Sequence, residues 1–327
     1  MQRPVFGFSL LCAAALAWSG CSSPGTGTTF GAAPSMSNGV LTHGASLPAA
    51  GHAVGAGWLS PQAKKAKNLL YVADQVAGAI EIYNQKGQSQ QPIGKITEGV
   101  SGADGLFVDP HGKLYVCNFG NGTVTVYPRG KTSPSETLTG AGSPIDVVTA
   151  RNGTVYVANF NSGTDGTVLE YAKGQTSPSK TIVTLGSGSY PEGLALDSSN
   201  DLFVAYQSTD GEVLEFKPGS SSGQNLGIHV GAAGGLTIDR HNDLLLDDQV
   251  LPGVDVYPPG SSTPSQQITG FSAAFDVALN HKNNELWVTA PFKPAVYGVS
   301  YPAGKIVDTI SSLTSAFGVG TSPDGSQ

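Results

Sequence analysis

The sequence predicts an all-β chain: a ring of six four-stranded antiparallel sheets, a β-propeller, closed by the C-terminal strand joining the first sheet. Three observations predict it. An alternating β-type word recurs, LYVAD at 70, LYVCN at 114, VYVAN at 155, LFVAY at 202, LLLDD at 244 and LWVTA at 286, at spacings of 44, 41, 47, 42 and 42 residues. A second word follows each and ends on Tyr83, Tyr127, Tyr171, Phe216, Tyr257 or Tyr301, with a turn glycine just beyond. A third word precedes all but the first copy: GLFVDPHG at 105, IDVVTARNG at 145, GLALDSSN at 193, GLTIDRHN at 235 and FDVALNHKN at 275. Four short strands about every 42 residues are the pattern of a propeller blade, whose apolar faces are buried only by neighbouring blades.

Along the chain, the N-terminus comes first. Arg3 and the apolar run 5–18 end in Ser19-Gly20-Cys21, too short for a comfortable membrane span and suited to a signal peptide over residues 1–21. The junction resembles a bacterial lipoprotein signal, with Trp18 at the usual aliphatic position. That resemblance implies lipidation of Cys21, and Ser22 after it fits sorting to the outer membrane. An ordinary cleaved signal peptide is the other reading. Either way the protein is expected to be exported to a bacterial cell envelope. Residues 22–66, rich in Gly, Ala, Ser, Thr and Pro, read as a flexible tether. The propeller is expected over residues 67–327.

In each unit the third word is the innermost strand, the first word the second strand, and the second word the third strand. Polar stretches such as SETLTG and QQITG supply the outer strand. The copy at 70 lacks an inner strand, and FGVGTSPDG at 317 is an inner strand with nothing after it. That strand is expected to complete the first blade, hiding two sheet edges at once. A single closed ring needs no oligomer for stability, so a monomer is expected.

Composition narrows the partners. Glycine is abundant (44) and charged residues are few (13%), as suits turn-rich β-structure. A net charge of −7 lacks the footprint of a nucleic-acid binder. Cations, neutral ligands and proteins remain. Cys12 leaves with the signal and Cys21 takes the lipid, so Cys117 stands alone and no disulfide is expected within the mature domain.

The stretches GLFVDPHGKLYVCNFGNGTVTVY (105–127) and GLALDSSNDLFVAYQSTDGEVLEF (193–216) resemble the NHL-repeat propellers and, more loosely, the gluconolactonase-like six-bladed family. The resemblance runs from about residue 67 to the end. It implies the fold, and a ligand face where inner strands start and second strands end.

At the inner-strand starts stand Asp104, Asp146, Glu192 and Asp276; at the second-strand ends stand Asp74, Asn118, Asn159 and Asp248. Oxygen donors of this kind suit a hard cation such as Ca²⁺ or another divalent ion, or acid–base work by two carboxylates. The gluconolactonase resemblance implies metal ligation by Asp104 in ADGL and Glu192 in PEGL. Ile145, Gly234, Phe275 and Phe317 fill the other equivalent places, and Asp146 and Asp276 come one residue later. The other reading is that these acids cap turns and line a wet channel. His111, His241 and His281 fall on the opposite face. Asp247 sits in the row of Ala73, Cys117, Ala158 and Ala205, where a buried acid needs a partner or water.

Two functions follow. The first is a lipid-anchored binding or scaffold module for a protein, glycan or small ligand. The second is a metal-dependent, lactonase-like hydrolase, with Asp104 and Glu192 holding the ion and Asn118 or Asn159 orienting substrate. They diverge on whether the acids converge on one point.

Overall fold

The computed structural model of the chain describes residues 55–323, apart from 66, 86–90, 161–164, 187, 208–210 and 252, and the backbone of 36–37 and 40–41. The signal segment with Cys21, and most of the tether, lie outside the described residues.

Six antiparallel sheets form the ring. In blades 2 to 5 the inner strands are Ala103–Val108, Pro144–Thr149, Tyr190–Leu196 and Ala233–Ile238, each followed outward by its own three strands. Blade 6 starts with Val277–Leu279 and ends with Lys305–Ile310. Blade 1 holds Leu69–Asp74, Ala79–Asn84 and Gly94–Ile96, and its inner strand is Val319–Thr321 from the chain's far end. The expected closure is therefore the observed one, with Val319 opposite Val72 and Thr321 opposite Leu70.

The sheet of blade 1 has a fifth strand. Trp58–Leu59 pairs with the outer edge of Gly94–Ile96, and the short helix Pro61–Lys65 follows, with Ala63 buried. The sheet of blade 1 thus draws on the stretch read as tether, and this strand covers an edge that would otherwise be open. Among the described residues no helix is long and apolar enough to cross a membrane.

The core is not one mass but six, one per seam between blades. Ile80, Ile82 and Ile96 of blade 1 meet Leu106, Val116 and Tyr127 of blade 2. Cys117, Val124 and Leu138 meet Val147, Val157 and Tyr171 at the next seam. The last seam joins Trp287, Val296 and Ile310 of blade 6 to Leu70, Val72, Tyr83 and Val319 of blade 1. This explains the repeated word: alternate residues of each strand face opposite seams, so both sets must be apolar. Cys117 is fully buried in such a seam, and burial pushes its thiol well above the usual range.

The seams are closest near the channel. A Cβ on Gly105 would lie 2.2 Å from the Ile145 carbonyl oxygen and 2.9 Å from Asp146 Cα, both backbone of the next blade. Gly105→Ala should therefore cost about 1–3 kcal/mol through overpacking. That would lower the melting temperature by several degrees, read by circular dichroism; an unchanged melt would mean the seam is looser than this.

Candidate functional site

The face of interest gathers the inner-strand starts and second-strand ends. A register shift marks the start of the inner strand in blades 2 to 5, between Ala103 and Leu106, Pro144 and Asp146, Pro191 and Gly193, and Ala233 and Leu236. Such bulges lift a residue out of the ladder and re-aim its side chain. The positions concerned are Asp104, Ile145, Glu192 and Gly234, with Phe275 and Phe317 equivalent in blades 6 and 1.

The structure separates the eight predicted site residues into two groups. Asp74, Asn118, Asn159 and Asp248 are buried and committed to backbone. Asp74 accepts from the N–H groups of Thr314 (2.8 Å) and Ser315 (3.0 Å) and from the Thr314 hydroxyl (2.6 Å). The Asn118 Oδ1 accepts from Ser101 N–H (2.9 Å), and Asn159 Oδ1 from Gly142 and Ser143 N–H (3.0 and 2.8 Å). Asp248 accepts from Gly231, Ala232, Val250 and Leu251 N–H. Each holds the loop that leads into its own blade's inner strand.

The other four come together. Asp104, Asp146, Glu192 and Asp276 line one cavity of about 10 Å³, with Ile145 and Phe275. That is room for about one water molecule or the tip of a small cation. Asp146 and Asp276 sit one level deeper and also line a larger cavity of about 420 Å³, which opens on the opposite face. They form the narrowing between the two.

Their geometry is paired. Asp146 Oδ2 accepts from Leu194 N–H of blade 4 (2.6 Å), and Asp276 Oδ2 accepts from Val319 N–H of blade 1 (2.8 Å). Each Oδ1 accepts from the N–H of its own next residue. These two acids therefore bridge seams as well as line the channel. Burial pushes Asp276 up to about 7. Burial, and then the nearby Asp276, hold Asp146 well above the usual carboxylate range.

Asp247 has an unexpected place. It is fully buried, with no hydrogen-bond partner among the described residues on either carboxylate oxygen. A Cβ on Gly234 would lie 2.3 and 2.5 Å from those oxygens. Its carboxyl thus fills, from the second strand, the space that Asp104 and Glu192 enter from the first strand in blades 2 and 4. The two departures from the repeat in blade 5, an acid at 247 and a glycine at 234, compensate each other. Burial, then Asp276 and Glu192, raise its pKa well above the ordinary value.

An aromatic row beside the mouth was missed in the sequence. Phe119, Phe160 and Tyr190, from blades 2, 3 and 4, are half-buried, with centroids 6.2 Å apart for Phe119–Phe160 and 4.4 Å for Phe160–Tyr190. Tyr190 is two residues from Glu192, and Phe119 N–H donates to Gly102, two residues from Asp104. The available signal was NF after the second strand in two blades, at 118–119 and 159–160. Exposed apolar residues occupy matching loops elsewhere: Val76, Val250, Leu251 and Phe292.

Among the described residues, the only three acid or histidine groups with ligating atoms all within 4.8 Å are Asp239, His241 and Asp243, on the opposite face. The turn accounts for them. Asp239 Oδ1 accepts from His241 and Asp243 N–H, as Asp109 Oδ1 accepts from His111 and Lys113 N–H in blade 2. The mouth acids surround a cavity without three of them approaching that closely.

No protein-family model and no curated protein matches the chain. In fold it is similar to a chain in the crystal structure of a Nidogen/Laminin complex, at 15% identity and a TM-score of 0.64, covering 79% of this chain and 99% of that one.

Proposed function

We propose that this protein is a binding module of the bacterial cell envelope, exported and anchored through Cys21, which presents the acidic mouth to a partner. The NHL-like resemblance belongs to the same reading. The observation that carries it is the surface around the mouth: an aromatic row and exposed apolar loop residues encircle the inner-strand acids. Large apolar side chains exposed around a polar centre are the usual make-up of an interaction surface. The likeness to a propeller solved in a Nidogen/Laminin complex is consistent with such a use of the fold, though fold alone assigns no function.

A lactonase-like hydrolase is the second reading, favoured by one observation, the four carboxylates around one small cavity. In it Asp104 and Glu192 would hold a divalent ion such as Ca²⁺, which would supply an activated water. Metal content and turnover separate the two. The purified protein and an Asp104→Ala/Glu192→Ala variant would be incubated with Ca²⁺, Mg²⁺ and Zn²⁺, analysed for bound metal, and assayed on lactones and esters. The binding reading expects no stoichiometric ion and no turnover. An ion lost in the variant, with hydrolysis lost alongside it, would establish the enzyme instead.

A further inference from the structure

We propose that the mouth takes the primary ammonium group of a lysine side chain on a partner protein, with its methylenes lying along Phe119, Phe160 and Tyr190. This rests on the binding-module reading and names its occupant.

Size comes first. The cavity among Asp104, Asp146, Glu192 and Asp276 is about 10 Å³, room for a compact head. An ammonium is a point charge with three donors, whereas a guanidinium is a wide planar fork. An ammonium nitrogen also meets carboxylate oxygens at about 2.7–2.9 Å, a longer reach than the 2.3–2.6 Å of Ca²⁺. That suits oxygens spread around a space.

Asp247 is the second, independent observation. It is fully buried, both oxygens lack hydrogen-bond partners among the described residues, and it fills the blade 5 position equivalent to Asp104 and Glu192. An acid so placed without a partner has a reason to be there if a positive charge arrives nearby. The aromatic row is the third. Phe119, Phe160 and Tyr190 are only half-buried on the same face, and the (CH₂)₄ stem of lysine packs well on the exposed parts of aromatic rings.

The loop residues point to a protein carrying that lysine, not to a free amine. Val76 is 62% exposed, Leu251 64%, Val250 40% and Phe292 37%, on three other blades around the same face. A small amine would leave them in water; a protein surface would cover them.

The test uses the lysine side-chain analogue n-butylammonium on the full chain. Carboxyl and aromatic side-chain NMR resonances report binding. Comparison probes are n-butylguanidinium, n-butanol and CaCl₂. The expected result is saturable shifts at Glu192, Asp104 and Phe160 with n-butylammonium, at a Kd on the order of millimolar. n-Butylguanidinium should bind at least fivefold more weakly and n-butanol should leave the carboxyl resonances unmoved. Glu192→Gln and Phe160→Leu should each weaken binding about fivefold or more with an unchanged melting temperature.

Equal binding of the guanidinium, shifts confined to other residues, or displacement of the amine by stoichiometric Ca²⁺ would overturn the proposal. So would an absence of shifts with n-butylammonium. If n-butanol alone moved the aromatic and loop resonances, the lysine occupant would fail while the binding face stood. Silence from every probe, together with hydrolysis in the metal assay, would remove both.

Discussion

A chain ending at Ala316 should lose cooperative folding. The missing segment carries Phe317 and Val319, which are 3% and 1% exposed. Each buried side chain of that size contributes about 1.5–3 kcal/mol. The truncation also strips Leu69–Asp74 of its inner neighbour, including the bonds from Ala73 N–H to Gly318 (2.9 Å) and from Phe317 N–H to Ala73 (3.0 Å). On the blade 6 side, the Thr289 hydroxyl loses its acceptor, Phe317 carbonyl (2.5 Å), and Asp276 loses Val319 N–H. Phe275 loses its edge-on contact with Phe317, at 4.9 Å between centroids. Together these losses are comparable with the whole stability of a typical domain, about 5–15 kcal/mol. Circular dichroism melting and size-exclusion chromatography would show the result: no sharp transition, and an expanded or aggregated chain. A truncated protein melting like the full one would sink the account of ring closure.

The second large effect is on pH. Stability should rise as pH falls from 8 to 5. Asp276 and Glu285 are pushed up to about 7 in the folded protein, both chiefly by burial, with Asp308 adding to the effect on Glu285. Asp146 and Asp247 are raised as well. Unfolded carboxyls titrate near 4. A raised folded value means that folding takes up protons between about pH 4 and 7. The stabilisation is fully present below the unfolded value and is lost as pH rises through the folded one. The melting temperature at pH 5 should therefore exceed that at pH 8 by roughly 5 °C or more.

Asp247→Asn isolates one contributor. Burial raises the Asp247 pKa well above its ordinary value, so this acid lowers stability as pH rises above the unfolded carboxyl range. The amide avoids that loss at similar size. The variant should melt several degrees higher than the parent at pH 8, and the difference should shrink as pH falls towards 4. A melting temperature that climbs with pH in the parent, or a variant less stable at pH 8, would contradict this reading of Asp247.

The fold was legible because it is periodic. Tyr83, Tyr127, Tyr171, Phe216, Tyr257 and Tyr301 recur at one strand position because each packs into a seam of the same shape. The turn glycines Gly130, Gly174, Gly219, Gly260 and Gly304 recur because each takes a positive φ, between 70° and 77°. Closure was legible by counting, since one strand was missing at the start and one was spare at the end.

The site was legible only in part. Asp104 and Glu192 fall where the repeat places an inner-strand start, so their position could be read; that the chain bulges there, and that Asp146 and Asp276 turn into the channel beneath them, could not. Asp74, Asn118, Asn159 and Asp248 look identical in the sequence to ligand-facing groups, yet they hold loops. The Phe119–Phe160–Tyr190 row and the exchange between Gly234 and Asp247 join residues from different strands or blades. A local pattern specifies which strands form and which faces are apolar, because those depend on alternation and turn chemistry near each residue. Which carboxylate meets a backbone N–H, and which meets an empty space, depends on how neighbouring blades approach one another, and that distance is set by the closed ring.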